Sequence, residues 1–166
     1  LFPVEATYGI IYIVRNPLDV AVSLSHHNGI ALDKAISLLA KDSHTLAGGT
    51  DAGQSQLRQK VMAWGTHIDS WNNLPNVPRL LIRYEDMVSD GITVFGAVVR
   101  FLGFEDDPDR LRRSVAFSSF DALRAQEEAS GFRENPNVVN GSFFRKGQVG
   151  SWRDELSHEQ VIRITS

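Results

Sequence analysis

The stretch that decides the fold is Tyr8-Gly-Ile-Ile-Tyr-Ile-Val14, which is followed directly by Arg15-Asn-Pro-Leu-Asp19. The first part is short, β-branched and apolar at successive positions, which is typical of a strand buried in a parallel sheet. The second part indicates the start of a helix, because its Asn can cap the helix, its Pro suits the first helical position and its Asp adds an acid to the first turn. We therefore predict a strand that runs straight into a helix, which ends near Asn28-Gly29.

A second buried strand is predicted at Arg79-Leu-Leu-Ile-Arg83, with the polar residues Tyr84, Glu85 and Asp86 at its end. Apolar residues at helical spacing surround the two strands. The predicted helices cover 32–41, 57–71, 92–102 and 108–117, a helical piece beginning at Ser119, and a tail helix capped by Ser157 and Gln160. Glycine-rich 47–53 and polar 131–150 are predicted to be loops. Strands that alternate with helices predict an α/β fold with a parallel sheet, whose ligands bind beyond the carboxyl ends of the strands.

The composition excludes several classes of protein. The 166 residues carry a formal net charge of −3, which argues against a general nucleic-acid surface. No apolar run approaches the roughly 20 residues that span a bilayer. Cysteine is absent, which excludes disulfides and thiolate metal sites and fits a reducing compartment, so we expect a cytoplasmic protein. The chain opens at Leu1-Phe-Pro3 without an initiator Met, and we expect it to be a fragment.

Arg15 and Ser23 are candidate anion ligands. Arg15 lies at the end of the first strand, where the helix start offers free backbone N–H groups and a partial positive charge. Its planar guanidinium matches phosphate oxygens, and Ser23 lies about two turns into the helix, where its hydroxyl can reach the same anion. The alternative is structural: Arg15 pairs with Asp19 or another acid, and Ser23 is merely a tolerated small residue. Spacing alone leaves both interpretations open.

A second candidate cluster is Phe143-Phe-Arg-Lys-Gly-Gln-Val-Gly-Ser-Trp152. Two adjacent cations precede glycines whose backbone can approach a ligand closely, and free N–H groups in such turns bind anions. The flanking aromatic residues can anchor the loop to the core. The alternative is a solvated basic turn with ordinary hydrophobic anchors.

Together these stretches resemble a known family, the sulfotransferases that use 3′-phosphoadenosine 5′-phosphosulfate. Ile11-Tyr-Ile-Val-Arg-Asn-Pro-Leu-Asp-Val-Ala-Val-Ser23 is similar to the family's 3′-phosphate-binding strand and helix. Phe144-Arg-Lys-Gly-Gln-Val-Gly-Ser-Trp152 resembles its C-terminal basic motif, and Tyr84-Glu-Asp-Met87 and Phe101-Leu-Gly-Phe104 lie between them in the family's order. The resemblance implies a P-loop-type three-layer α/β fold and a transferase that moves a sulfuryl group to a hydroxyl or amine of a small-molecule or carbohydrate acceptor.

The resemblance also implies roles for individual residues. The ribose 3′-phosphate would be held by Arg15 and Ser23 from one side and by Arg145, Lys146 and the backbone of Gly147 from the other. Tyr84 would contact the nucleotide near the adenine, and Ser119 and Phe120 match the segment that packs on the base. The product would be 3′-phosphoadenosine 5′-phosphate, abbreviated PAP.

Other polar residues are given structural interpretations. Trp152 is expected to anchor the basic loop, and Glu85 to act at the strand end without a catalytic role. His26 and His27 lie near the end of the first helix, where histidine interacts favourably with the helix dipole. The tail 153–162 departs from the dimerisation segment of the animal cytosolic members, which makes that mode of dimerisation doubtful.

The family's 5′-phosphosulfate loop, with its Lys, and its catalytic His have no counterpart in this sequence. We therefore expect residues 1–166 to be the C-terminal part of a single sulfotransferase domain, inactive alone and partnered by a missing N-terminal part. The family's sheet would place a missing strand between the two strands present. Two alternatives remain open: a non-catalytic fragment that binds 3′-phosphoadenosine nucleotides or acts as an interaction module, and a relative of the P-loop nucleoside kinases. The latter is weakened because no glycine-rich phosphate loop is present to hold Mg²⁺.

Overall fold

The computed structural model describes residues 3–46, 58–131, 144 and 146–166. Its elements are strands β1 (Ile10–Val14), β2 (Thr45–Leu46), β3 (Gln59–Lys60) and β4 (Arg79–Arg83), helices α1 (Pro17–Asn28), α2 (Leu32–Leu39), α3 (Trp64–Asn72), α4 (Tyr84–Ser89), α5 (Gly91–Phe101), α6 (Pro108–Phe117), α7 (Phe120–Ser130) and α8 (His158–Thr165), and 3₁₀ turns at Val4–Ala6 and Ser151–Asp154. In the part of the chain that the structure describes, no helix is both long and apolar enough to cross a membrane.

The predicted strand-to-helix unit is confirmed. Asn16 caps α1, since its side-chain oxygen accepts a hydrogen bond from the Leu18 N–H at 3.0 Å, and Pro17 takes the first helical position. Gly29 closes the helix with a φ of 60°, in the left-handed region that glycine adopts without strain. The side chain of Arg15 is thereby fixed between a strand end and a helix start.

β1 and β4 form a parallel pair in which Ile10 lies opposite Arg79 and Val14 opposite Arg83. This confirms the predicted α/β fold with a parallel sheet. The expectation of a further strand between the two is wrong for this structure, because they hydrogen-bond to each other directly. Among the described residues this sheet has two strands, so each is an edge strand. On its faces Ile13 is 51% and Leu81 49% exposed, where the sequence predicted full burial.

The buried core lies between α1 and α2, where small and branched side chains meet: Ala21, Val22, Ala35 and Ile36. α8 docks onto α2 through Asp33, which accepts from Gln160 Nε2 at 3.3 Å and pairs with Arg163 at 2.6 Å. The hydrogen bond from Gln160, and after it the one from Arg163, lowers the pKa of Asp33. The predicted capping box of Ser157 and Gln160 is present at the start of α8.

The predicted helix over 57–71 is wrong in its first half. Residue 57 lies outside the described residues, and β3 pairs antiparallel with β2, with Thr45 opposite Lys60. The His44 carbonyl then accepts from the N–H groups of Val61 and Met62, and Met62 has a φ of 66°, which no α-helix contains. The helix therefore starts only at Trp64. The ring of its Trp71 stacks on the ring of Tyr12 in β1, with the ring centres 6.3 Å apart. The predicted loop at 47–53 also lies outside the described residues, as does most of the loop predicted for 131–150.

Candidate functional site

Arg15 leaves the carboxyl end of β1 and lies over the aromatic ring of Tyr84, the first residue of α4, with its guanidinium carbon 4.4 Å from the ring centre. One terminal nitrogen donates to the Gln148 carbonyl at 3.3 Å. The Nε atom is buried and has no hydrogen-bond partner among the described residues. Within those residues Arg15 forms no ion pair, so the structure does not support the alternative that Asp19 or another acid neutralises it.

Asp19 instead fastens the C-terminal turn to α1. Asp19 is only 1% exposed. One carboxylate oxygen accepts from the Gly150 N–H at 2.7 Å, and the other accepts from the Trp152 N–H at 3.1 Å and from the Ser151 hydroxyl at 3.4 Å. Three donors satisfy a carboxylate that would otherwise be expensive to bury. These contacts fasten residues 150–152 to α1 through backbone N–H groups and one hydroxyl, and the partner acid was not identified from the sequence.

The strand ends are joined by a second carboxylate. Glu85, at the start of α4, accepts from the Asn16 backbone N–H at 2.8 Å and lies 3.8 Å from Arg83 Nε. This is the structural role predicted for Glu85. It holds the start of α1 beside α4, which keeps Arg15 next to Tyr84.

The basic loop approaches α1 and α7 from the other side. Gly147 has a φ of 60°, and a Cβ at this position would overlap the ring of Phe120. Phe120 also contacts Phe144 edge-on, with ring centres 6.2 Å apart. The loop backbone therefore packs directly on an aromatic ring, which a side chain at position 147 would prevent.

Two of the predicted nucleotide residues also shape the local fold. The Ser119 hydroxyl accepts from the Ala122 N–H at 3.3 Å and so caps α7. Phe120 is the first residue of that helix and is half-buried. Neither observation conflicts with a ligand contact, because both residues still line the same cavity.

A cavity of about 710 Å³ lies at the carboxyl end of the sheet, a size typical of small-molecule and cofactor sites. It brings together all the predicted site residues that the structure describes: Arg15, Ser23, Tyr84, Ser119, Phe120, Lys146 and Gly147. Arg145 lies outside the described residues. Further wall comes from residues that the sequence did not single out as ligands, both apolar (Met87, Phe95, Val115 and Leu123) and polar (Asp19, His26, His27 and Gln148).

The polar wall offers mainly donors. Arg15 and Lys146 bring positive charge, Ser23 brings an exposed hydroxyl, and the loop at Gly147 brings backbone. Lys146 Nζ lies 2.8 Å from Glu155 Oε1, which is its acidic partner among the described residues. The Asp19 carboxylate is engaged by the C-terminal turn. Such a wall suits an anionic group, with the apolar side of the cavity beside it.

The chain matches the family model described as a sulfotransferase domain over residues 5–166. Sulfotransferase 2A1 of Rattus norvegicus is 31% identical over 157 residues, which cover 92% of this chain and 52% of that protein. Cytosolic sulfotransferase 17 of Arabidopsis thaliana is 25% identical over 173 residues, covering 93% and 46%. The chain thus spans about half the length of the curated relatives it matches.

Solved structures show the same likeness. The crystal structure of mouse sulfotransferase SULT7A1 complexed with PAP superposes with a TM-score of 0.66 at 26% identity, covering 93% of this chain and 55% of that one. Retinol dehydratase in complex with androsterone and PAP gives a TM-score of 0.68 at 21% identity, over 95% and 45%, and so shares the fold. With a strand-to-helix segment and a C-terminal basic loop that meet at one cavity, and a family match over residues 5–166, this chain belongs to the sulfotransferase domain family.

Proposed function

We propose that this chain binds the 3′-phosphate and the adenine of 3′-phosphoadenosine 5′-phosphosulfate, as part of a sulfotransferase that moves the sulfuryl group to a hydroxyl or amine acceptor. One observation carries the proposal: Arg15 and Ser23 line the same cavity as Lys146 and Gly147, which lie more than 120 positions later in the chain. Each motif alone has an ordinary structural interpretation. Together they supply hydrogen-bond donors to the same cavity.

The proposed phosphate contacts follow from the chemistry of each donor. The Arg15 guanidinium can donate two parallel hydrogen bonds to phosphate oxygens, and its stacking on Tyr84 fixes the plane of that fork. Ser23 donates its hydroxyl, and Lys146 donates through a mobile ammonium. Arg145, which lies outside the described residues, is proposed as a further phosphate ligand on the grounds of the sequence motif alone.

The adenine is proposed to lie on the apolar side of the cavity. Tyr84 and Phe120 offer aromatic surface there, and Ser119 lies at the start of α7 beside Phe120. The ring of Phe120 is held between the loop backbone at Gly147 and the ring of Phe144. A flat base can therefore pack on a ring whose position is already fixed.

Transfer itself breaks the bond between sulfur and the phosphate oxygen and forms one between sulfur and the acceptor oxygen or nitrogen, whose proton needs a base. We propose that residues 1–166 form one part of a single domain and bind the nucleotide without turnover alone, with transfer requiring a longer protein. The acceptor is proposed to be a small molecule or a carbohydrate. A cytoplasmic location is proposed because the plant relative is a cytosolic sulfotransferase and because a sequence without cysteine fits a reducing compartment.

The test is a calorimetric titration of the chain with PAP and, separately, with 5′-AMP. We expect PAP to bind more tightly, because only PAP carries the 3′-phosphate. Arg15→Ala and Lys146→Ala should each reduce that preference by roughly tenfold to a hundredfold, the value of one charge-assisted hydrogen bond of about 1.5–3 kcal/mol.

Arg113→Ala is the matched control, because Arg113 is an exposed cation of α6 that does not line the cavity. It should leave the preference for PAP unchanged. Equal affinity for PAP and 5′-AMP in folded wild-type chain would contradict the proposal. Binding of PAP in both the chain and a longer protein, without sulfuryl transfer by either, would instead favour a non-catalytic nucleotide-binding module.

A further inference from the structure

A carboxylate lies between two donors at the rim of the cavity. Glu155 Oε1 is 2.8 Å from Lys146 Nζ, and its Oε2 is 2.7 Å from His26 Nε2. The two donors come from distant parts of the chain, Lys146 from the basic loop and His26 from the last turn of α1. Both line the cavity. The carboxylate thus bridges the same two elements that supply the rest of the proposed phosphate site.

The geometry of this bridge is that of an oxyanion between two donors. An ionised carboxylate only accepts hydrogen bonds, so Nε2 carries the hydrogen in the contact with His26. A phosphate group presents acceptor oxygens of the same kind to N–H donors, with more charge. In the free protein, Glu155 therefore satisfies two donors that a ligand phosphate can also engage.

His26 is placed to take part in such an exchange. It lies three positions after Ser23, so the two side chains are neighbours on one face of α1. Its side chain is 44% exposed, against 39% for Lys146 and 18% for Glu155. The imidazole can be reached from the cavity while the carboxylate stays behind it.

We propose that His26 is a further phosphate-binding residue of this cavity, and that the Glu155 carboxylate competes with the ligand phosphate for His26 and Lys146. This inference rests on the proposed function, because it assigns more ligands to the same 3′-phosphate. It replaces the structural role that the sequence favours for His26.

Competition has a predictable sign. Ion pairs between partly exposed groups are weak, so a dianionic phosphate can displace or share the carboxylate. Removing the charge of Glu155 weakens its hold on both donors and removes a repulsive negative charge beside the phosphate. Glu155→Gln should therefore bind PAP more tightly, by roughly 1.5- to fivefold, the range that a weak competing ion pair contributes. His26→Ala should weaken PAP binding by roughly three- to tenfold, less than the loss of an uncontested charge-assisted hydrogen bond, because His26 already pairs with Glu155 in the free protein.

The experiment titrates the wild-type chain, Glu155→Gln and His26→Ala with PAP and with 5′-AMP by calorimetry. Glu159→Gln and His158→Ala are the matched controls, because they make the same chemical changes at neighbouring exposed positions on α8. A melting curve of each variant confirms that it is folded. The inference predicts tighter PAP binding in Glu155→Gln, weaker binding in His26→Ala, no change in the controls and little change with 5′-AMP.

The outcomes separate this inference from the proposed function. If the wild-type chain prefers PAP but Glu155→Gln binds it no more tightly, the competition is wrong and the proposed function stands. If His26→Ala affects PAP and 5′-AMP equally, His26 is not a ligand of the 3′-phosphate. If the wild-type chain does not prefer PAP at all, both the inference and the proposed function are overturned.

Discussion

The two sides of the cavity are built in different ways. The strand-to-helix side carries Arg15 and Ser23, and the shape of its helix follows from adjacent residues: the Asn16 cap, the Pro17 start and the Gly29 end of α1. The basic-loop side, residues 146–152, contains only a short 3₁₀ turn and is held by side chains far away in the sequence. The helix start on one side is therefore specified by neighbouring residues, whereas the loop on the other side depends on a few long-range contacts.

The largest effect should follow from Asp19→Asn. The neutral side chain keeps its shape but replaces one carboxylate oxygen with an NH2 group, so the part-buried donors at Gly150 and Trp152 lose a charged acceptor. We expect a loss of about 3 kcal/mol in the free energy of unfolding, measured by urea denaturation. The preference for PAP over 5′-AMP should fall as well.

Asp69→Asn is the control for that substitution, because Asp69 is an exposed acid on α3 and its change should leave stability within about 0.5 kcal/mol. If Asp19→Asn lowered the free energy of unfolding no more than the control does, the basic-loop side would not depend on its long-range anchor.

Gly147→Ala should have the next largest effect. The new Cβ meets both an unfavourable φ of 60° and the ring of Phe120. We expect a cost of about 2 kcal/mol, from left-handed strain and overpacking together. Thermal or urea unfolding measures the cost, and calorimetry with PAP measures the displacement of the loop.

Gly103→Ala separates these two causes, because Gly103 has a φ of 72° but a Cβ there would make only an ordinary contact, 3.5 Å from the Tyr8 hydroxyl. It should show the strain without the clash. A Phe120→Ala background should also relieve part of the cost at position 147, and strict additivity of the two changes would contradict the proposed packing.

The smallest effect should follow from Asn16→Ala on the locally specified side. Loss of the cap costs about 1 kcal/mol in the free energy of unfolding. The preference for PAP should persist, because the Asn16 backbone still donates to Glu85 and β1 still pairs with β4. Asn28→Ala, at the other end of α1, serves as the control. Loss of the preference for PAP in Asn16→Ala would show that the local side is less independent than its structure indicates.

The same difference explains what the sequence could predict. The start and end of α1, the strand at Arg79–Arg83 and the capping box at Ser157 were all predicted, because each rests on residues within a few positions of one another. Seven of the residues that line the cavity were predicted as ligands through the family motifs. Their binding role stays a prediction.

The parts that the sequence did not reveal depend on contacts between distant residues. Asp19 looks like an ordinary first-turn acid, and nothing near it signals that its donors lie at Gly150 and Trp152. The apolar spacing before Trp64 fits a helix. Instead, β3 pairs with β2, and the His44 carbonyl accepts hydrogen bonds from the N–H groups of Val61 and Met62. Glu155 likewise has no local mark of its contact with His26.

The Asp19 anchor also has a consequence for the order of events during synthesis. Its carboxylate and the Gly150 N–H are 131 positions apart, and at about 5–20 residues per second a ribosome needs roughly 7 to 26 s to add that length. Throughout this interval α1 exists without its final partner, and the carboxylate stays hydrated rather than buried. The cavity can therefore be completed only after the basic loop has been synthesised, long after the residues of the strand and helix that bear Arg15.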